Sequence, residues 1–280
     1  MEEVTRESSG EEVTTLILAA GRGTRMKGFL NNKTLLPLLP GTSIFDGSRP
    51  FIKEIISQVP KGRVAIVVHH DAETVKETLK EEKVVYIYQP ELNGTGGALL
   101  ASREFLEKVE TKYVLITMGD VPLVRSHTYR RLIKHIDATG FEAALIAFRP
   151  SDPKQYGRLL TEGEKVKRIV EWQYWKDLSK SDLEMMNLCN AGIYALRRGE
   201  LLACCNELFD RYHSVKKNID GTWREIKEYF LTDLVEIMNE KGMNFGFIEV
   251  PEWEVIGADT PEALRKIQAL YAGLIRSTVQ

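Results

Sequence analysis

Cysteine is scarce in this sequence, and its placement excludes two kinds of site. The 280 residues contain three cysteines, Cys189, Cys204 and Cys205. They show neither the paired spacing of a zinc site nor the even number of a secreted disulfide framework. We therefore expect a protein of the reducing cytoplasm.

An excess of charge of one sign and a long apolar run are also missing. The 38 basic and 40 acidic side chains leave a formal net charge of -2, without a basic field that could neutralise a nucleic-acid backbone. No apolar run approaches the roughly 20 residues that span a bilayer, and the polar start MEEVTRESSGEE lacks the apolar core of a signal peptide. From these absences we expect that the protein binds neither a nucleic acid nor a membrane. The oligomeric state stays open.

Apolar periodicity begins only at Thr14, so residues 1–13 are predicted to be a mobile tail. From there, strand-length runs alternate with helical segments in the order TTLILAA, PFIKEIISQV, VAIVVHH, AETVKETLKEE, VVYIYQ, GGALLASREFLEKV, YVLITMGD, SHTYRRLIKHIDA and AALIAF. This alternation is typical of βαβ units and predicts an α/β protein with a mostly parallel sheet. TTLILAA and YVLITM are apolar at nearly every position, which predicts central strands covered on both faces.

The pattern changes after Arg149. RLLTEGEKVKRIVEW predicts a hairpin that turns at Glu162 and Gly163, and LCNAGIYAL and FGFIEV predict further strands. Helices are predicted at GELLACCNELF, at WREIKEYFLTDLVEIMNE and from Thr260-Pro261, where a threonine cap precedes a proline at the first helical position.

The chain has no linker rich in Gly, Ser or Pro, so a single domain is predicted over residues 14–280. The first half of this domain would span about 14–149. The half from about 150–280 would form a smaller lobe of mixed β-structure.

A glycine-rich loop follows the first predicted strand, at the edge where ligands collect in open sheets. In LAAGRGTRM, Gly21 and Gly23 would let backbone N–H groups approach phosphate oxygens closely. Arg25 adds positive charge, and Lys33 could reach the same phosphates. The same residues also fit an ordinary strand-to-helix turn with solvated cations.

An aspartate follows another apolar strand, in the segment GDVP. Mg²⁺ prefers one or two carboxylates together with substrate phosphates, so Asp120 needs a partner. Asp259, in VIGADTPEAL, is a candidate. Asp and Thr before Pro-Glu also fit a plain helix cap, and both interpretations stay open.

A second glycine loop, QPELNGTGGA, follows the third strand of the predicted sheet. Gly94, Gly96 and Gly97 make a flat backbone stretch against which a planar base could lie, and Gln89 offers a donor and an acceptor to a base edge. A helix N-terminal turn fits these glycines as well, and the two interpretations are compatible.

Together these motifs make the chain resemble the sugar-1-phosphate nucleotidyltransferases. It is most similar to the uridylyltransferase domain of N-acetylglucosamine-1-phosphate uridylyltransferases. The ordered motifs are LAAGRGTRM with Lys33, Gln89 with GTGGA, GDVP, YGR, the IVE around Glu171, NAGIY, YFLTD and GADTPE. The resemblance implies an α/β, Rossmann-like fold of the glycosyltransferase A type, with three layers, a mostly parallel central sheet and a smaller substrate lobe.

The resemblance also implies roles for individual residues. Those expected at the nucleotide are Leu18, Ala19, Gly21, Gly23, Gln89, Gly94 and Thr95. Those expected at the sugar phosphate are Gly157, Glu171, Asn190 and Thr232. Arg25, Lys33 and Asp120 would be catalytic, with the first two holding the triphosphate, and Asp120 and Asp259 would share a Mg²⁺ ion.

The chain departs from the family's pattern at several of these positions. Leu92 stands where a second glutamine usually meets the base, and Met118 replaces an aromatic residue before GD. Ala191 stands where threonine is common, and Asp259 where asparagine is the usual metal ligand. A hexapeptide-repeat acetyltransferase domain is not expected in this chain.

The expected function is Mg²⁺-dependent transfer of a nucleotidyl group from a nucleoside triphosphate, with UTP favoured, to N-acetylglucosamine-1-phosphate or a related hexose-1-phosphate. One alternative keeps the fold and makes the chain a cytidylyl-, guanylyl- or thymidylyltransferase for another phosphorylated sugar or alcohol. The other is a non-catalytic module that binds nucleotide sugars.

Overall fold

The computed structural model describes residues 12–23, 25–152, 155–219 and 221–278. Residues 1–11 of the predicted tail and Thr24 of the first glycine loop lie outside these ranges. The first strand begins at Val13, one residue before the predicted start of the domain.

The described residues form thirteen strands and eleven α-helices, besides two short 3-10 helices at Lys33–Leu35 and Glu252–Val255. The strands are β1 (Val13–Leu18), β2 (Pro37–Pro40), β3 (Gly47–Pro50), β4 (Arg63–Val68), β5 (Val85–Tyr88), β6 (Tyr113–Met118), β7 (Ala143–Phe148), β8 (Arg158–Glu162), β9 (Lys165–Val170), β10 (Cys189–Arg197), β11 (His213–Ile219), β12 (Thr222–Glu228) and β13 (Phe245–Val250). The helices are α1 (Phe51–Gln58), α2 (Ala72–Thr78), α3 (Thr95–Ala101), α4 (Arg103–Lys108), α5 (Ser126–Thr139), α6 (Trp172–Trp175), α7 (Lys180–Met185), α8 (Arg198–Ala203), α9 (Cys205–Asp210), α10 (Asp233–Glu240) and α11 (Pro261–Thr278).

Nine strands make one sheet in the order β5-β4-β1-β6-β10-β7-β13-β9-β8. Strands β5, β4, β1 and β6 pair with one another in parallel, and β7 pairs with β13 in parallel. Strand β10 runs antiparallel between β6 and β7, and β9 and β8 form the antiparallel end. The predicted α/β fold with a central sheet is therefore confirmed, and the strands of the second half join that same sheet.

The strand order reverses beside β1. From β1 the chain continues to β4 and β5 on one side and returns to β6 on the other. The carboxyl ends of β1 and β6 thus flank a crevice of the kind in which open α/β sheets bind ligands.

Helices cover both faces of the sheet because its central strands bury side chains on both. In β1, Ile17 packs in a cluster with Ile55 of α1 and Leu132 of α5. Its neighbour Leu16 points to the opposite face, in a cluster with Leu99 of α3. This alternation of successive side chains builds the three layers that were predicted.

The last helix, α11, is anchored far from its N-terminus. Gln268 donates a hydrogen bond to the carbonyl of Pro37 (2.9 Å), and the Tyr271 hydroxyl donates one to Glu54 (2.8 Å). These buried contacts hold the helix in a fixed position. The segment that precedes it, with Asp259, is thereby held beside the carboxyl end of β6.

The helix predicted for WREIKEYFLTDLVEIMNE is wrong in its first half. Residues Thr222–Glu228 are strand β12, which pairs antiparallel with β11, and the helix α10 begins only at Asp233. Trp223 and Ile226 are spaced as on one helix face, but Trp223 is 69% exposed, whereas Ile226 lies opposite Val215 of β11. Pairing with a partner strand thus overrides the local helical spacing.

Two further predicted helices are each divided in two. Ser102 separates α3 from α4, and its hydroxyl donates a hydrogen bond back to the carbonyl of Ala98 at 2.9 Å. Such back-bonding bends helices. Cys204 separates α8 from α9.

The remaining predictions for the second half hold. Strands β8 and β9 pair as the predicted hairpin, with Gly163 at a positive φ of 61° in the turn.

All three cysteines are buried and free. Among the described residues, no helix is long and apolar enough to cross a membrane.

Candidate active site

A cleft of about 1350 Å³ opens at the carboxyl ends of β1 and β6. All the residues predicted for the site line it except Gly157 and Asp259. Gly157 lies next to Glu171, since a Cβ atom added there would be 3.5 Å from a carboxylate oxygen of Glu171. Asp259 contacts two of the lining residues. The predicted positions therefore converge, although their roles remain predictions.

The first glycine loop lies at the end of β1. The backbone N–H of Ala19 still donates to Val67 of β4 (2.8 Å), so the loop leaves the sheet only after this residue. A Cβ atom on Gly21 would meet nothing within 4 Å, whereas one on Gly23 would lie 2.5 Å from Cγ of Lys33. Gly23 is thus required for packing, while Gly21 leaves open space in the cleft.

Lys33 reaches two carboxylates at once. Its ammonium lies 2.6 Å from Oδ2 of Asp120 and 3.1 Å from Oδ1 of Asp259. Burial acts to lower the pKa of Lys33, but the two carboxylates outweigh burial and raise this pKa above its ordinary value. Lys33 is therefore a firmly charged cation held between Asp120 and Asp259.

The two aspartates come from distant parts of the chain. Asp120 follows β6, and its carbonyl accepts a hydrogen bond from the backbone N–H of Ala258 at 3.0 Å. This contact brings Asp259 beside Asp120, and Asp259 also forms an ion pair with Arg25 at 3.0 Å. The neighbouring Thr260 caps α11, because its hydroxyl accepts a hydrogen bond from the N–H of Ala263 at 3.2 Å.

The helix-cap interpretation of Asp259 is therefore not what the geometry favours. Its carboxylate faces Lys33 and Arg25, while Thr260 performs the capping. Asp120 and Asp259 form a pair rather than a larger cluster, since no group of three or more His, Cys, Asp or Glu residues that could hold a metal occurs in the described part of the chain.

Gln89 is buried at the second glycine loop, and its amide nitrogen donates to Oδ1 of Asn93 (3.0 Å) and to the carbonyl of Gly94 (3.1 Å). Both N–H groups are thus used within the protein. The side-chain oxygen remains the part of Gln89 available to a base, where the sequence suggested a donor as well.

The glycines of this loop are explained by packing. A Cβ atom on Gly94 or Gly96 would lie within 3 Å of the backbone of Tyr229, and one on Gly97 would overlap Asn93. The hydroxyl of Thr95 accepts a hydrogen bond from the N–H of Leu231 at 3.2 Å. The loop is therefore fastened to the YFL segment that precedes α10.

Glu171 and Thr232 also line the cleft and contact each other. The hydroxyl of Thr232 donates to Glu171 at 2.8 Å. Burial raises the pKa of the Glu171 carboxyl above its ordinary value, and this hydrogen bond opposes the rise. Asn190 lies nearby at an irregularity of β10, with its amide donating to the hydroxyl of Tyr194 at 2.6 Å.

The departures from the family's pattern also have places in the structure. Leu92 lines the cleft and presents an apolar side chain there. Met118 packs against Gly192, where an added Cβ atom would lie 3.1 Å from Cγ of Met118.

Sequence reasoning missed several residues of the site. Asn32 is buried beside the first glycine loop, and its only signal was its position before Lys33. The hairpin of β11 and β12 contributes a wall that includes Arg224 and Ile226. That wall could not be found from a segment predicted as helix. Trp172 also lines the cleft.

Comparisons with known proteins agree with this geometry. Residues 15–215 match the MobA-like NTP transferase domain family. The bifunctional protein GlmU of Brucella anthropi is 31% identical over 262 residues, which cover 92% of this chain and 52% of that protein. GlmU of Bradyrhizobium diazoefficiens is 32% identical over 268 residues, or 94% and 53%. The chain thus spans about half the length of the curated relatives it matches.

A solved structure shares the fold. The uridine diphosphate N-acetylglucosamine pyrophosphorylase of Trypanosoma brucei, crystallised with an inhibitor, superposes with a TM-score of 0.69 at 17% identity. The match covers 92% of this chain and 65% of that one. The predicted fold class is thereby confirmed.

Proposed function

Because this chain belongs to the MobA-like NTP transferase domain family, we propose that it is a Mg²⁺-dependent sugar-1-phosphate nucleotidyltransferase. It transfers the nucleotidyl group of UTP to N-acetylglucosamine-1-phosphate or a related hexose-1-phosphate and releases pyrophosphate. The GlmU relatives and the trypanosomal pyrophosphorylase support this choice of substrates.

One observation carries the proposal: Lys33, Asp120 and Asp259 meet at one point beside the first glycine loop. An ion pair between an exposed lysine and a carboxylate usually contributes little to stability. Here two chain segments more than 130 residues apart converge on Lys33, within a cleft that leaves open space at Gly21. This arrangement suits a site that handles both negative phosphates and a cation.

The two carboxylates fit a Mg²⁺ ion. In the described residues they already hold one cation between them, the ammonium of Lys33, and Mg²⁺ commonly takes one or two carboxylates and completes its shell with phosphates and water. Asp120 and Asp259 would hold the ion. When bound, it would supply positive charge that offsets the charge of the substrate phosphates.

The reaction exchanges one phosphorus–oxygen bond for another. An oxygen of the sugar-1-phosphate bonds to the α-phosphorus of the triphosphate, and the bond from that phosphorus to the oxygen bridging the β-phosphate breaks. Pyrophosphate leaves with the bonding electrons. Arg25 and Lys33 offset the charge that gathers on it, together with backbone N–H groups of the loop. A protein nucleophile is not needed, because positioning supplies most of the acceleration.

Two groups of residues that line the cleft hold the two substrates. The loop from Gln89 to Thr95 receives the base, with the oxygen of Gln89 as an acceptor. Glu171, Thr232 and Asn190 receive the hydroxyl groups of the sugar. The first glycine loop at Gly21 and the side chain of Lys33 take the phosphates.

Pyrophosphate release tests the proposal. With Mg²⁺, UTP and N-acetylglucosamine-1-phosphate, we expect Asp120→Ala and Lys33→Ala each to lower kcat by on the order of a hundredfold or more. Lys27→Ala, an exposed lysine of the same segment, is the matched control and should behave like the wild type. Near wild-type turnover in both site variants would contradict the assignment.

A panel of triphosphates against sugar phosphates belongs to the same experiment. UTP should give the highest kcat/KM. A preference for CTP, GTP or dTTP would instead make the chain a cytidylyl-, guanylyl- or thymidylyltransferase. In that case Leu92, which lines the cleft, is the first position at which to test base specificity.

A further inference from the structure

Asn32 uses its whole amide within the protein. It is 1% exposed, and its nitrogen donates to the carbonyls of Ala19 (2.6 Å) and His70 (2.9 Å). Its oxygen accepts a hydrogen bond from the N–H of Thr34 at 3.0 Å. A primary amide has two N–H donors and an acceptor oxygen, so both donors and the oxygen are engaged.

These bonds join three separate loops. Ala19 belongs to the glycine loop after β1, and His70 to the loop after β4. Thr34 belongs to the 3-10 turn Lys33–Leu35, of which Asn32 is the N-cap. The backbone N–H of Asn32 itself donates to Asp71 at 3.2 Å, which adds a second link to the β4 loop.

The turn that Asn32 caps carries Lys33. The stem of Lys33 lies against Gly23, and its ammonium reaches Asp120 and Asp259. A short turn has few bonds of its own, so its place relative to the glycine loop depends on the amide that joins them. Without the amide, the buried carbonyl of Ala19 and the partly buried carbonyl of His70 lose this donor, and buried polar groups without partners are disfavoured.

We propose that Asn32 is a positioning residue: its amide fixes the spacing between the glycine loop and Lys33, so that both grip the same triphosphate. This inference rests on the proposed function. Asn32 does not touch the substrate in this role but acts through Ala19 and Lys33. Its loss should therefore affect the triphosphate and spare the sugar phosphate, whose predicted contacts lie at Glu171 and Thr232.

Three variants separate this role from simple packing. Asn32→Ala removes both the capping oxygen and the two donors. Asn32→Ser keeps an oxygen that can accept from Thr34, as serine does at helix caps, but cannot span to both carbonyls. Asn31→Ala changes the exposed neighbour of the same type and is the matched control. Each full chain is measured for kcat, for KM of both substrates, for calorimetric binding of UTP with Mg²⁺, and for Tm.

We expect Asn32→Ala to lower kcat/KM for UTP by about tenfold to a hundredfold and to leave KM for the sugar phosphate within about twofold. Asn32→Ser should lie between Asn32→Ala and the wild type, and Asn31→Ala should match the wild type. If Asn32→Ala fails to fold, the comparison of Asn32→Ser with Asn31→Ala decides.

Three results would overturn the inference. The first is unchanged kcat and KM values in Asn32→Ala. The second is an equal rise of KM for UTP and for the sugar phosphate, together with a lower Tm. The third is a kcat/KM for UTP in Asn32→Ser that is no higher than in Asn32→Ala. If the wild type releases no pyrophosphate, the proposed function fails separately. UTP binding then decides the role of Asn32. A loss of about tenfold in UTP affinity in Asn32→Ala upholds that role. Equal UTP affinity in Asn32→Ala and the wild type, or no UTP binding by the wild type, overturns it.

Discussion

Gly21 and Gly23 lie two positions apart in the first glycine loop, yet each lacks a side chain for a different physical reason. Gly23 has a φ of 60° and lies against the stem of Lys33. Gly21 faces open space in the cleft. Packing therefore accounts for Gly23, and a ligand that needs close approach to the backbone would account for Gly21.

Glu171 gives a prediction at the same scale, because burial raises the pKa of its carboxyl. A raised pKa means that the folded chain holds this proton more tightly than the unfolded chain does. The resulting advantage is complete below the ordinary value of 4.5 and is lost as the pH rises through the raised value. At neutral pH the buried charge opposes folding.

Glu171→Gln removes that charge and keeps an acceptor for Thr232. Its Tm should exceed that of the wild type at pH 7 and equal it near pH 4, while KM for the sugar phosphate rises by about tenfold or more. Thermal melts at both pH values and initial rates check this. Glu164→Gln, an exposed position, should change neither quantity. A lower Tm at pH 7 would contradict the expectation.

At the scale of elements, the N-terminus of α11 divides two tasks between neighbouring residues. Thr260 satisfies a free N–H of the helix, and Asp259 turns its carboxylate to Lys33 and Arg25. The anchoring of α11 by Gln268 and Tyr271 keeps both in place. Mutations at Thr260 and Asp259 should therefore separate an effect on unfolding free energy from an effect on kcat.

Thr260→Ala should cost about 1 kcal/mol of unfolding free energy, the usual effect of losing a cap, and leave kcat near the wild-type value. Asp259→Ala should retain the cap and lower kcat by about a hundredfold. Denaturant unfolding and pyrophosphate release measure the two effects. The reverse pattern, with Asp259→Ala losing only stability, would return Asp259 to the role of a cap.

At the scale of the whole molecule, both halves of the chain build one sheet. Strand β10, from the second half, lies between β6 and β7 of the first. The second glycine loop is likewise fastened to the backbone of Tyr229, which precedes α10. The residues that line the cleft therefore come from both halves of the chain.

Binding should consequently stabilise the entire chain. At a UTP concentration of about 100 times Kd with Mg²⁺, linkage adds about 2.7 kcal/mol, which corresponds to a Tm increase of roughly 5–10 °C for a chain of this size. Removing the metal with a chelator, or introducing Asp120→Asn, should abolish most of the increase. If no triphosphate raises Tm, the site does not bind nucleotides as proposed.

The sequence by itself predicted an α/β sheet and the edge of that sheet at which the predicted site residues converge. Continuous apolar runs such as TTLILAA predict buried parallel strands, and the carboxyl ends of such strands meet at one edge. The loops with Gly21, Gln89 and Asp120 had to follow those ends. This much is local, because each inference needs only a few neighbouring residues and a general rule of sheet geometry.

Only the tertiary structure decided the rest, because it depends on contacts between residues that are distant in the chain. Strand β12 exists because β11 pairs with it, although its own spacing suits a helix. Asp259 faces Lys33 because Ala258 bonds to Asp120, and Gly94 must lack a side chain because Tyr229 lies against it. Asn32 looks ordinary in NNKTLLPL, and only the fold brings Ala19 and His70 within reach of its amide.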